Sequence, residues 1–164
     1  MMNFRRIELA IEVCRNHLDS TNARNSEIES YLVSHIIVLV IAEYEMLLEK
    51  MILKRVGRTN DAHVQSFVHK SLDKFFRSIK VTEISGLLGR FGEDYKKSFQ
   101  DAAANIQPAI SRYGNILQSR HAIAHEASLN MTWAELEISF NESKLVLSAI
   151  ANALGLTADE IKDF

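Results

Sequence analysis

Apolar positions in this 164-residue chain recur at three- and four-residue spacing almost from end to end, the period of one face of an α-helix. Ile7, Ala10, Ile11, Cys14 and Leu18 mark a first helix over about Phe4 to Leu18. The polar run Asp19 to Asn25 reads as a loop. Ser26, with Glu29 three residues on, forms a capping-box pattern that opens a second, long helix reaching Arg55 and stopping at Gly57. The middle of that helix, Ile36 to Ala42, is apolar on every side, as expected of the buried central element of a bundle. The same run is far short of the ~18–20 residues that cross a bilayer, and Glu43 and Glu45 follow it at once.

A third helix is expected from Asp61 to Phe76, amphipathic through Val64, Phe67, Val68, Leu72, Phe75 and Phe76. The segment from Thr82 to Asp101 reads as two shorter pieces, because Gly86, Gly89 and Gly92 each weaken continuous helix by about 1 kcal/mol relative to alanine. Pro108 suits the first turn of the next helix, which carries Ile110, Tyr113, Ile116, Leu117 and Ile123. Thr132 with Glu135 is another capping box, opening a helix to about Leu154 that Gly155 ends. Thr157 with Glu160 repeats the device for a short terminal helix. There is no internal repeat, low-complexity tract or strand-like alternation. The expected fold is all-α: one domain over residues 1–164 with its core at about 26–154, a bundle of one long central helix plus shorter ones.

Composition agrees with this reading. One proline and six glycines are too few for a turn-rich sheet protein but suit long helices. The lone Cys14 cannot form an intramolecular disulfide, and residues 1–11 show no signal-peptide pattern, so a reducing cytoplasm is the expected location. Cys14 itself reads as a small buried residue rather than a reactive thiol. The net charge of −2 argues against a general polyanion-coating protein, yet its distribution is uneven. Residues 1–49 carry net −4, residues 50–120 net +7, and residues 121–164 net −5. The basic middle, ending at Arg120, favours a polyanion locally, although a solvated face of mixed charges has the same signature.

The candidate chemistry lies in Arg120-His121-Ala122-Ile123-Ala124-His125. At about 100° per residue His121 and His125 fall roughly 40° apart on one helix face, and Arg120 sits roughly 100° from His121. A guanidinium fork donates paired hydrogen bonds to a phosphate and keeps its charge. An imidazole ordinarily exchanges a proton near neutral pH. Two other readings stay open from spacing alone. His-x-x-x-His can bind zinc, but no second cysteine or HExxH pattern supplies further ligands. The histidines could equally be hydrogen-bonded at a helix–helix contact, with Arg120 in an ion pair. Arg58 and His63 have the same spacing as Arg120 and His125 but straddle Gly57 and the next helix start, which argues against chemistry there. His35, Glu45, Tyr113 and Trp133 are weaker candidates: a core histidine, a solvent-facing glutamate and two core aromatics are the simpler readings. Lys70, Lys74, Lys96 and Lys97 read as solvated surface.

The run Asn115 to His125 resembles the signature of the HEPN superfamily of small all-α domains: an arginine, a polar residue, then a histidine four to six positions past the arginine. The apolar helix Tyr31–Glu45, the segment Ile84–Gly92 and the threonine-capped helix after the motif resemble its RiboL-PSP-HEPN branch. The resemblance covers most of residues 26–154. It implies a metal-independent ribonuclease without a cofactor, acting on RNA as a homodimer whose two motifs face one cleft. It also implies a toxin or defence role, with an antitoxin or nucleotidyltransferase as partner. By position, Arg120 would hold the scissile phosphate, His125 would act on the proton, and His121 would fill the accessory polar slot. Glu126 stands where many relatives have glycine. The alternative is a non-catalytic helical interaction module that binds a partner protein or a nucleotide in the same cleft.

Overall fold

In the computed structural model the described residues are 2–72, 80–125, 130–162 and 164. They form α1 (Arg5–Ser20), α2 (Glu27–Val56), α3 (Ala62–Leu72), α4 (Val81–Gly89), α5 (Glu93–Asn105), α6 (Gln107–Ala124) and α7 (Trp133–Ala153), with a 3-10 turn at Gly57–Thr59 after α2. No strand occurs among the described residues, and none of the helices is long and apolar enough to cross a membrane.

The expected helices up to α7 are present, and their ends explain themselves. Pro108 lies in the first turn of α6, where its missing N–H has no intrahelical partner to lose. The break between α4 and α5 falls at Gly92, whose φ of +147° a side chain would resist; Gly86 is carried within α4. α7 ends in a Schellman arrangement: Gly155 takes φ +67°, and the Leu156 N–H reaches back to the Ala151 carbonyl at 3.0 Å. At its start Thr132 and Glu135 form the expected capping box, the Glu135 N–H donating to Thr132 Oγ1 at 3.3 Å and the Thr132 N–H to Glu135 Oε2 at 2.9 Å. Thr132→Ala should cost about 1 kcal/mol in urea unfolding with the cooperativity of the transition unchanged.

Two expected caps turn out differently. Ser26 does precede α2, but its hydroxyl donates to the Ala23 carbonyl at 2.6 Å rather than capping the helix. Glu29 accepts instead from the Asn25 N–H at 2.7 Å and, with its other oxygen, from the Trp133 N–H at 2.9 Å. One carboxylate, 7% exposed, thus ties the start of α2 to the start of α7. The terminal helix expected after Thr157 is a succession of turns, although Thr157 and Glu160 make the hydrogen bonds of a capping box. Glu160 is also bound by Arg58 at 2.6 Å, and Arg58 donates to the Gly155 carbonyl at 3.0 Å. Arg58 is therefore a structural pin, a role its motif-like spacing to His63 did not reveal.

The Thr157 N–H, then Arg58, hold the Glu160 carboxyl at about 2, below its ordinary value near 4.5. The unfolded chain takes up this proton first as pH falls. Stability from Glu160 is therefore complete above about 4.5 and lost as pH drops toward about 2. Acid titration of stability should show a shallower decline in Glu160→Gln over that window.

The core is built on α2, α6 and α7. Glu29 meets Trp133 while Tyr44 meets Phe140 and Ser143, so α2 and α7 run parallel. α6 runs antiparallel to α7, with Arg112 near Glu142 and Ala122 across from Met131. At the centre the Tyr44 and Tyr113 rings stack with centroids 5.8 Å apart, and Phe4 from before α1 packs edge-on against Tyr44 and Phe140. Tyr44 Oη bonds Ser143 Oγ at 2.6 Å, which satisfies a buried hydroxyl. Burial pushes both tyrosine hydroxyls well above their ordinary range for proton loss. α1 is clamped to α7 by Arg15–Glu137 and Lys144–Glu8. Cys14 is half-buried, and burial raises its thiol, which suppresses the thiolate.

α2 departs from the all-round burial expected of its middle. Val33, Ile36, Ile37, Val40, Ile41 and Tyr44 face the core, whereas Tyr31, His35, Val38 and Ala42 form an exposed stripe on the opposite side. α3 is also less embedded than its pattern predicts: Leu72 is buried, but Phe67 is 73% exposed. Phe75, Phe76 and Lys74 lie outside the described residues.

Candidate functional site

The Arg120–His125 cluster occupies the C-terminal end of α6. The helix reaches this point with Ala109, Tyr113, Ile116 and Leu117 turned into the bundle. Arg120 lies three and seven residues past Leu117 and Tyr113, on the inward side, and is half-buried. A long aliphatic stem can lie along such a surface while the charged fork stays at its edge. His121 and His125 are exposed.

His125 stands just outside the helix rather than within the helical run the sequence suggests. It is the C-cap, with φ −107° and ψ 17°, and its N–H is shared between the His121 and Ala122 carbonyls at 3.2 Å each. Among the described residues, no side-chain hydrogen bond or ion pair engages Arg120, His121 or His125. The structural alternative of an Arg120 ion pair therefore has no partner among them. Glu126 lies outside the described residues.

Two cavities flank this end of α6. His121 lines one of about 420 Å³ with Lys80 and Thr82 at the start of α4 and with Gly114 and Gln118 of α6. Ser119 and Ala122, which bracket Arg120 and His121, line a second of about 240 Å³ on the side facing α7. The cluster thus lies beside hollows on both sides of its helix.

The weaker candidates separate clearly. Tyr113 and Trp133 are core residues, 2% and 1% exposed, and cannot stack on bases. His35 is on the outward stripe of α2 rather than in the core, and Glu45 is half-buried. Lys96 pairs with Glu93, and Lys70 is exposed. No group of three or more His, Cys, Asp or Glu residues among those described is arranged to hold a metal ion. Sequence reasoning took Glu135 only as a cap and Asn115 only as the start of the motif run, and passed over Arg112 and Ser139; all four share the α6–α7 cavity. Their one sequence signal was the placement of polar groups along helices that otherwise turn apolar residues inward.

The model of the RiboL-PSP-HEPN family matches residues 3–156. The chain belongs to that family, and the membership points to ribonuclease-like or nucleotide-related work as a broad class. No curated protein and no solved structure matches it.

Proposed function

We propose that this protein is a metal-independent endoribonuclease that cleaves single-stranded RNA by attack of the RNA's own 2′-hydroxyl. The products are a 2′,3′-cyclic phosphate and a 5′-hydroxyl. The observation that carries the proposal is the position of Arg120, His121 and His125 together at one open helix end, without partners among the described residues. Among the described residues, no side-chain hydrogen bond or ion pair gives this cation and these two imidazoles a structural duty.

The chemistry needs a base for the 2′-hydroxyl, an acid for the leaving 5′-oxygen, and positive charge against the developing phosphorane. Arg120 serves the phosphate through its fork, and His125 transfers the proton, with His121 as the accessory polar group. One imidazole cannot be protonated and unprotonated at once. A second copy of the chain, related by a twofold axis, supplies a second His125 and Arg120 across the same phosphodiester. α6 suits such a meeting, since Asn115, Gln118, His121 and His125 remain exposed along one ridge. A toxin or defence role in the cytoplasm, restrained by an antitoxin or a nucleotidyltransferase, belongs to the same proposal.

The test is incubation of purified protein with RNA in EDTA, with analysis of product ends and measurement of solution mass. Cyclic phosphate ends and a mass near twice 18.6 kDa are expected. Absence of cleavage on every RNA would instead favour a non-catalytic module that binds a protein or nucleotide in the cleft. Activity lost on adding EDTA would return the His121–His125 pair to a metal-binding role.

A further inference from the structure

The cavity between α6 and α7 is lined by an unusual set of polar groups: Arg112, Asn115 and Gln118 from α6, Asn130 ahead of α7, and Glu135 and Ser139 from α7. Ser139 is fully buried, and its hydroxyl has no hydrogen-bond partner. Three other helix serines return theirs to the preceding turn: Ser34 to the Ser30 carbonyl at 2.8 Å, Ser71 to Phe67 at 2.7 Å and Ser148 to Lys144 at 3.2 Å. Ser139 lines the cavity without such a bond, although native structures rarely leave a buried hydroxyl unpaired. Glu135 commits Oε2 to Thr132, while Oε1 has no partner among the described residues. Arg112 approaches Glu142 with Nε at 3.5 Å, and its fork donates no hydrogen bond among the described residues.

We infer that this cavity is a guanine-recognition subsite beside the cleavage site, an inference that rests on the ribonuclease reading above. At about 240 Å³ the space suits one base rather than a larger ligand. A phosphate is disfavoured by the Glu135 carboxylate on the wall. Among the four bases guanine alone offers two adjacent N–H donors, N1–H and N2–H, which a carboxylate oxygen and an amide oxygen accept together. Its O6 and N7 then face donors, the arrangement that an arginine fork or a pair of side-chain amides satisfies. Uracil flanks its single N–H with two carbonyls that a carboxylate repels. Adenine and cytosine place a ring acceptor where guanine has N1–H. Ser119 and Ala122 link the cavity wall to Arg120 and His121 along one helix, so a base seated here lies next to the reacting phosphate. RNA recognition of this type, an unstacked base read on its Watson–Crick edge, is the common route to sequence preference in single strands.

The test uses guanosine, adenosine, cytidine and uridine with the whole chain, followed by amide NMR shifts and calorimetry. Guanosine should move the amides of residues 112–119 and 130–139 and bind more tightly than the other three. Asn115→Ala and Glu135→Gln, at an exposed position and a preserved cap acceptor, should each weaken it by roughly tenfold. Inosine, which lacks the N2 amino group, should bind more weakly than guanosine by a similar factor. Equal binding of all four nucleosides, or shifts confined to other parts of the chain, overturns the inference. A wild type that cuts RNA without selecting guanosine removes the subsite and leaves the nuclease standing. A wild type that selects guanosine but cuts no RNA keeps the subsite and removes the nuclease.

Discussion

Arg120→Ala and His125→Ala should each lower RNA cleavage by on the order of 10²–10⁴-fold, with circular dichroism and solution mass unchanged. The separation of activity from folding follows from position. His125 is exposed and Arg120 half-buried, and among the described residues neither side chain has a bonded partner to strand. Truncation therefore removes phosphate contact or proton transfer without opening the bundle. Arg120→Lys sharpens the reading: an ammonium keeps the charge but loses the planar fork, so partial recovery at most is expected if the arginine grips a phosphate with two hydrogen bonds. His121→Ala should cost less than His125→Ala, in keeping with an accessory position on the cavity wall beside Lys80. Full activity in both the Arg120 and His125 alanine variants would place the chemistry elsewhere in the chain.

The second large effect concerns stability. Glu29→Ala should destabilise the fold by about 3 kcal/mol, which lowers the melting temperature of a chain this size by roughly 6–12 °C. Its carboxylate accepts two backbone N–H groups, from Asn25 and Trp133, and it is almost wholly shielded from water. Hydrogen bonds to a charged acceptor exceed those between neutral groups, and the buried Trp133 N–H would be left without a partner. Glu29→Gln should fall between the wild type and Glu29→Ala, because an amide oxygen can still accept one of the two bonds. The loss should be felt first where α7 begins. Hydrogen exchange at the start of α7 should accelerate more than exchange at its middle, where Phe140 and Ser143 are held by Tyr44. A Glu29→Ala variant that melts with the wild type would show that this carboxylate does not join the two helices.

The same residue illustrates how far local pattern could reach. Ser26 and Glu29 have the spacing of a capping box, and the helix does begin there, yet the box itself does not form. Spacing reports which bonds are locally available. It cannot report that α7 brings a competing N–H to the carboxylate from 104 residues away. Thr132 and Glu135 lie at the surface with no such competitor, so the local pattern and the outcome coincide. The stripe on α2 carries the same lesson. Val38 is as apolar as its inward neighbours, and hydrophobicity alone could not tell that neighbouring helices would cover one side and leave the other open.

What the sequence determined by itself is the order of the helices α1 to α7, a break in the glycine-bearing stretch before α5 and the stop at Gly155, together with a set of residue types whose chemistry suits a phosphodiester. These follow from torsional freedom, three- to four-residue periodicity and side-chain chemistry, all properties of short stretches. Only the tertiary structure decided that Tyr113 and Trp133 serve the core, that His125 steps off the end of α6, and that Arg112, Asn115, Glu135 and Ser139 converge on one cavity. Those outcomes depend on how α6 lies against α2 and α7. A helix presents every one of its faces, and only packing decides which of them water will see.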